Sequence, residues 1–329
     1  LGNSLISHLS IAGTAQVVIT NSRVSDSETS GIYVWGSARV NLSNTTISNN
    51  GEHGVYVGDK AQVTLENCTI SGNKSNGLRV EGSAQVSLVD CIVEGNGTDE
   101  HLDSEFRSGI EVGEEAHLTL RNCTVSNNGA DGLVVHNTAY IILRDCTISN
   151  NRNGLLVDGS AQANLANSVF SDNRFDGLVV GGSVQVTLDG CTLSNNEKYG
   201  LWVELNARVT LQNCTISRNG EDGIFVGYPA RIELRGEVSV HDNRGCGIYV
   251  RDPEAQVVGG PVTMWGNGLP LRGFVSASIR KPLVPQTQRT ELSVPGDYPT
   301  IQEAIDAIPP GGTINLGEGT FHEGFTIWK

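Results

Sequence analysis

The sequence predicts an all-β solenoid, a right-handed parallel β-helix of about ten stacked coils, each built from three short strands and about 23 residues. Three observations carry this expectation. A glycine recurs as Gly31, Gly54, Gly77, Gly109, Gly132, Gly154, Gly177, Gly200, Gly223 and Gly247, at spacings of 23, 23, 32, 23, 22, 23, 23, 23 and 24 residues. Between these glycines the chain reads G-[IVL]-x-V, a turn, A-x-V-x-L, and then C-x-[IV]-S-x-N. Apolar and polar residues alternate in each piece, as strands with one buried face require. An asparagine closes each coil: Asn50, Asn73, Asn96, Asn128, Asn151, Asn173, Asn196, Asn219, Asn243 and Asn267.

In the coil that starts at Gly54, the alternation turns Val55, Val57, Val63, Leu65, Cys68 and Ile70 inward and Tyr56, Thr64, Thr69 and Ser71 outward. One thin coil cannot bury its own inner face. Stacking at about 4.8 Å lets each strand pair in parallel with its copies above and below, and joins the apolar positions into columns. The repeat glycine relieves a turn where a side chain would clash or φ must be positive. The Asn column tolerates left-handed geometry, and its amides can bond along the axis. The right-handed course follows from the chirality of parallel crossovers. A leucine-rich horseshoe would need an L-x-x-L-x-L frame with a helix in each repeat, and a β-roll would need G-G-x-G-x-D nonapeptides; the sequence has neither.

The chain has 329 residues, 40 glycines and a net charge of −14. That acidic balance argues against a nucleic-acid partner, which needs clustered Lys and Arg. No run of about 18 apolar residues offers a membrane span, and no signal peptide is visible in this chain. Six cysteines share one inward position: Cys68, Cys91, Cys123, Cys146, Cys191 and Cys214. Thr45, Ser168 and Val238 stand there in other coils, so the position wants a small residue. The expectation is a column of buried free thiols acting as small hydrophobes, with Cys68–Cys91 or Cys123–Cys146 pairing within reach. Cys246 falls on a different strand, and no C-x-x-C spacing suggests zinc.

Coils such as Gly54-Val-Tyr-Val-Gly…Ala61-Gln-Val-Thr-Leu-Glu-Asn-Cys68-Thr-Ile-Ser-Gly-Asn73 resemble the generic right-handed parallel β-helix repeat. Pectate-lyase-like proteins, NosD-like periplasmic proteins and large bacterial surface proteins share that repeat, and the resemblance covers roughly residues 10–267. It implies a fold, because the pattern encodes packing and not a site.

The expected organisation is coils over 1–267, an irregular linker over 268–296 with Pro270, Pro282, Pro285 and Pro295, and a cap segment over 297–329. In that segment Thr300 and Glu303 form a capping box. Ile301, Ala304, Ile305 and Ile308 line one face of a short amphipathic helix, which Pro309 and Pro310 stop. Two strands follow, near 313–316 and 325–328. The segment resembles the opening of β-helix domains in pectinesterase-like and NosD-like proteins, where such a helix plugs the N-terminal end. Here it comes last. Three arrangements fit: a unit cut from a tandem array, a tail that caps its own start, or a cap that completes the next copy. In the last, Phe325 and Ile327 join the assembly surface, and copies add head to tail into a filament.

Three surface features are candidate sites. The long coil inserts residues 97–106, which hold Asp99, Glu100, His101, Asp103 and Glu105, with Glu94 and Glu111 expected nearby; Glu94, Asp99, His101 and Asp103 are the candidates for catalysis, and Asp99, Glu100, Asp103 and Glu105 are candidate Ca²⁺ ligands. No other cofactor is expected. The outward position two residues after the repeat glycine holds Tyr33, Tyr56, Arg79, Glu111, Val134, Leu156, Val179, Trp202, Phe225 and Tyr249, a largely apolar or aromatic stripe fit for a contact surface or for cover by the linker. Thr/Ser pairs such as Thr69/Ser71 and Thr124/Ser126 make a third column, read first as good strand residues. The N-x-T sequons at Asn67, Asn122 and Asn213 are by-products of the repeat. The expected function is a non-enzymatic extracellular or cell-surface structural or adhesive protein, a filament subunit built from copies of itself. The alternative is a polysaccharide lyase or hydrolase, or a glycan-binding domain.

Overall fold

The computed structural model describes residues 2–101, 107–274, 291–294, 300–301, 304–305, 308 and 312–317. It is an all-β solenoid of three parallel sheets. They are named here by the residue that precedes the strand in the coil beginning at Gly54. The glycine sheet has twelve strands, from Leu9–Ile11 to Leu269–Gly273, and includes Val55–Val57. The alanine sheet has eleven, from Gln16–Thr20 to Gln256–Gly259, and includes Gln62–Glu66. The cysteine sheet has twelve, from Leu5–Ile6 to Val262–Trp265, and includes Thr69–Ser71. Every third strand is a neighbour, as in a chain winding round one axis.

Register is kept residue for residue. Val55 pairs with Leu78 and Leu78 with Ile110, so the ladder keeps its register across the longer coil. Val55, Val57, Val63, Leu65, Cys68 and Ile70 are all buried, in one apolar core that runs the length of the solenoid. All seven cysteines are buried free thiols. In the column of six, Cys68, Cys91, Cys123 and Cys146 give their S–H to the carbonyl two residues back, at 3.2–3.3 Å. The solenoid has about twelve coils, two more than the glycine count predicts. The first glycine-sheet strand follows His8 instead of a glycine. The last, Leu269–Gly273, pairs with Cys246–Val250 and uses residues expected in the linker. Pro270 is tolerated there because an outermost strand needs no donor on its far edge.

The Asn column is a hydrogen-bonded ladder. Asn50 N and Nδ2 both donate to Asn73 Oδ1 at 3.1 and 2.8 Å, and Asn73 does the same to Asn96 at 3.2 and 2.7 Å. The rungs continue through Asn128, Asn151, Asn173, Asn196, Asn219 and Asn243 to Asn267. The left-handed residue is not the ladder Asn but the one before it: Asn49, Asn127, Asn150, Asp172, Asn195, Arg218 and Asp242 have φ near +55°, and Gly72, Gly95 and Gly266 stand there in other coils. The ladder Asn turns its side chain into the coil, and its predecessor makes the bend. The repeat glycines avoid a clash instead of supplying positive φ. A Cβ on Gly77 would lie 2.7 Å from Asn96 Nδ2, 2.7 Å from Gly109 O and 2.8 Å from Val93 Cγ1.

The Ser column of the cysteine sheet is not a displayed hydroxyl face. Ser126, Ser149, Ser194 and Ser217 are buried, because the left-handed residue that follows folds back over them. Asn127 Nδ2 and Asn150 Nδ2 donate to Ser126 and Ser149 Oγ at 3.2 and 3.3 Å. The sequon residues Asn67, Asn122 and Asn213 belong to an outer ladder of exposed side chains; Asn67 Nδ2, for example, donates to Asn44 Oδ1 at 2.7 Å.

A second apolar cluster gathers Leu292, Val294, Ile301, Ala304, Ile305 and Ile308, with Ile314 packed against it. Its strands Glu291–Val294 and Thr313–Leu316 pair in parallel as a separate sheet. The expected capping helix is not seen as a continuous element among the described residues. Helical bonds from Ala304 N to Thr300 O and from Ile308 N to Ala304 O are present, at 3.2 and 3.0 Å. Phe325 and Ile327 lie outside the described residues. No helix among the described residues is long and apolar enough to cross a membrane.

Candidate functional site

The outward column of the glycine sheet is the most chemically varied surface of the coil. Its strands are three residues long in most coils. The first and third residues go into the core and the middle one faces out, so exact register stacks the middle residues at the strand spacing of about 4.8 Å. Pairs Tyr33↔Tyr56, Tyr56↔Arg79, Arg79↔Glu111 and Trp202↔Phe225 follow directly.

Near the N-terminal end this column is ionic. The Tyr33 and Tyr56 rings stack at 4.4 Å, 3° from parallel. Tyr56 Oη donates to Glu81 Oε2 at 2.8 Å. Arg79 bridges two carboxylates, reaching Glu81 Oε1 at 2.5 Å and Glu111 Oε2 at 3.2 Å. Glu111 is only 5% exposed along its side chain and is also held by His136 Nε2 at 3.2 Å and Asn76 Nδ2 at 2.5 Å. Burying one carboxylate is tolerable only with such partners. Burial, opposed by the Arg79 and Tyr56 hydrogen bonds, leaves the Glu81 carboxyl below its usual range. The hydrogen bond to Glu111 raises His136 against the effect of burial. Burial first, then the Arg79 charge, pushes His53 down to about 4, so its imidazole is neutral. His53 Nδ1 has no hydrogen-bond partner.

Near the C-terminal end the same column is aromatic. Tyr199 meets Trp202 edge-on at 5.1 Å, Trp202 lies 4.9 Å from Phe225, and Phe225 meets Tyr249 edge-on at 5.5 Å. These are favourable aromatic geometries. Arg272 caps the row over the Tyr249 ring at 4.7 Å. The rings screen one another: Phe225 is buried, while Trp202 and Tyr249 are half-buried. Between the two ends, Val134, Leu156 and Val179 make a half-buried apolar floor. The described part of the expected cover, residues 268–274, extends the solenoid by a coil and does not cross the stripe.

One wall of this face is the residue before each repeat glycine. Asp131 Oδ1 accepts from Asn153 N and Nδ2 at 3.0 and 2.9 Å. Asn153 Oδ1 accepts from Asp176 N at 3.1 Å, and Asp176 Oδ1 from Tyr199 N at 3.0 Å. Arg152 forks onto Asp131 at 3.0 and 2.8 Å. Asp176 is buried with no such fork, and desolvation pushes its carboxyl up to about 6.

Of the residues singled out from sequence, Tyr33 and Tyr56 fall in the ionic patch, and Trp202, Phe225 and Tyr249 in the aromatic one. Glu111 sits on the glycine sheet, whereas Glu94 ends the cysteine-sheet strand Ile92–Glu94 and is exposed. Asp99 Oδ1 accepts from His101 N at 3.0 Å, a local turn contact. Asp103 and Glu105 lie outside the described residues. Among the described residues no group of three His, Cys, Asp or Glu side chains is arranged to hold a metal ion. His53, Asn76, Asp131, Asp176, Tyr199 and His136 were not picked out from sequence. The signal for most of them was a second polar column, one residue before the repeat glycine. A shallow open groove on the alanine sheet, lined by Gln62, Thr64, Gln85, Ser87, His117 and Thr119, is a polar surface without charged partners.

A ladder-locked solenoid with a register-stacked outer column defines a class of protein, the single-stranded parallel β-helices. The chain belongs to the right handed beta helix region family, which matches residues 3–105 and 108–259. No curated protein matches it in sequence. Among solved structures it is similar to the A-modules of two mannuronan C-5 epimerases from Azotobacter vinelandii. AlgE6 aligns over 83% of this chain and 92% of that one, at 15% identity and TM-score 0.49. AlgE4 aligns over 83% and 91%, at 17% identity and TM-score 0.45. The pectate lyase Pel9A aligns over 64% and 67%, at 14% identity and TM-score 0.46. These are likenesses of coil path.

Proposed function

We propose that this protein is a carbohydrate-recognising β-helix that binds an extended polysaccharide along its glycine sheet. The supporting observation is the aromatic row Tyr199, Trp202, Phe225 and Tyr249, continuous with an apolar floor and a hydrogen-bonding patch on one sheet. A sugar ring has one apolar face and an equatorial rim of hydroxyls, so it suits an aromatic surface walled by carboxylates and amides. A polymer laid along the axis meets a side chain at the equivalent position of every coil. Trp202→Ala tests the reading. Affinity electrophoresis through gels that carry single polysaccharides should retard the parent protein, and the variant should bind about tenfold more weakly. Equal retardation of parent and variant in every gel, or none in any, overturns it.

A second reading, a head-to-tail filament, is supported by the separate cluster around Ile301 and Ile305 and its two-stranded parallel sheet. Electron microscopy of the full chain beside one ending at 274 decides it: filaments that need the tail support this reading, and single particles in both samples refute it.

A further inference from the structure

We infer that the glycan taken by the aromatic end of this face is built from amino sugars and not from uronates, an inference that rests on the polysaccharide reading above. A uronate polymer brings one carboxylate per sugar and needs cations to meet it. Four of the basic groups along this face already have partners, while Arg251, in the position after the strand that Glu81 and His136 hold in other coils, is exposed. Arg79 lies between Glu81 and Glu111, Arg152 is forked onto Asp131, and Arg272 lies over Tyr249. Lys198 sits over the Phe175 ring at 4.5 Å. At those four, capturing a uronate would strip the cation from its carboxylate or ring and leave that partner bare. The approach would also run against a net charge of −14.

The acidic groups are placed the other way. Tyr199 leans on the aromatic row at 5.1 Å from Trp202, and its phenol is raised by burial and then by a hydrogen bond to Glu221, with Asp222 and Asp176 adding to the same field. Asp222 Oδ1 accepts from Cys246 N at 2.6 Å, which fixes that carboxylate one coil along the wall. Burial raises Asp176, Lys198 opposes that rise, and the like charges Glu221 and Asp131 add to it. Aromatic faces beside carboxylates are the chemistry that receives an ammonium group, through the ring quadrupole and the neighbouring charge together. A sugar bearing an amine offers both halves, a ring face for Trp202 and Tyr249 and a cation for Glu221.

The test is titration calorimetry with three soluble tetrasaccharides of matched length, of glucosamine, of glucose and of a hexuronic acid, using the full chain at pH 6. Short oligomers keep indiscriminate polycation binding small. The glucosamine tetramer should bind tightest. Glu221→Gln should weaken it by roughly threefold to tenfold, and Trp202→Ala, which leaves the net charge unchanged, by a similar factor. Tighter binding of the glucose or hexuronic acid tetramer overturns the amino-sugar inference and leaves the polysaccharide reading standing. Glucosamine binding that Trp202→Ala does not alter also overturns the inference, since charge alone would explain it. Failure of all three tetramers to bind, with no retardation in the polysaccharide gels, overturns both.

Discussion

Removing one rung of the internal Asn ladder should cost far more in the middle of the solenoid than at its end. Asn196 is 1% exposed and accepts from Asn173 N and Nδ2 at 3.2 and 2.9 Å, while its own Nδ2 donates to Phe170 O at 3.2 Å and Asn219 Oδ1 at 2.9 Å. In Asn196→Ala the Asn173 N–H and amide both lose their acceptor in a region closed to water. At about 1–3 kcal/mol for each stranded donor, the loss is about 2–6 kcal/mol, before any cavity contribution. Asn267 occupies the last rung. It accepts from Asn243 N and Nδ2 at 3.1 and 2.8 Å, but it is only partly buried, so water can replace it and Asn267→Ala should cost about 1 kcal/mol. Urea denaturation followed by circular dichroism and tryptophan fluorescence measures both. A solenoid can unzip in parts, so the two probes must coincide before midpoints are compared. If Asn196→Ala loses less than about 1 kcal/mol, or no more than Asn267→Ala, the ladder is not a principal lock of the coils.

Two further outcomes follow from buried groups. Asp176 has its carboxyl raised from 3.8 to about 6, so between those values the folded chain holds a proton that the unfolded chain has lost. Its contribution therefore falls as pH rises through that window and stays low above it; a shift of this size corresponds to about 3 kcal/mol. Asp176→Asn keeps the acceptor for Tyr199 N, adds a donor toward Asn153 and removes the charge. It should stabilise the protein at pH 7–8 by up to about that amount and little at pH 4; urea midpoints at both values check this. The seven thiols are buried, and burial together with neighbouring sulfurs raises most of them, Cys191 to about 12. An aromatic disulfide reagent at pH 8 should therefore label none of them in the folded chain and all seven in denaturant. Rapid labelling of native protein would show coils that open.

Most of the coil was legible because two periods coincide in it. Alternation within a strand marks the inward positions, and the recurrence of Gly31, Gly54 and Gly77 fixes which residues stack. Where a coil lacks its marker, the reading stops short. His8 precedes Leu9–Ile11 in place of a glycine, so the first coil went uncounted although it lies within the expected coils, and Pro270 breaks the frame of the last strand, which was assigned to the linker. Composition also misplaced the left-handed bend. Asn at two successive positions, as in Asn49-Asn50, does not say which amide turns inward, and only the contacts show that Asn49 bends while Asn50 bonds. The candidate site was half legible. The stripe was visible at Tyr33, Tyr56, Trp202, Phe225 and Tyr249, but its wall was not, because Asn76, Asp131, Asn153 and Asp176 look like ordinary turn residues until their bonds to the next coil are traced.

Why the glycine sheet should carry the site follows from the coil itself. On the cysteine sheet most of the Ser column is buried, and at Ser126 and Ser149 the left-handed residue that follows uses the hydroxyl, so that surface has a structural task. On the alanine sheet the outward Gln and Thr residues alternate with exposed charges such as Arg39, Glu66, Arg121, Arg144, Arg208 and Arg231, a solvated strand face with no aromatic row among the described residues. The middle residue of a glycine-sheet strand points away from the core, and its side chain meets others of the same face, as Tyr56 and Arg79 meet Glu81. Its register is set by the backbone ladder whatever the side chain, which is why Tyr56, Arg79, Glu111, Val134 and Trp202 occupy one register position without disturbing the strands beside them. A position that costs the fold so little can vary from coil to coil. Here it groups into an ionic end and an aromatic end instead of scattering. Packing within the solenoid requires no such grouping, whereas a long ligand lying along the axis, touching one side chain per coil, would.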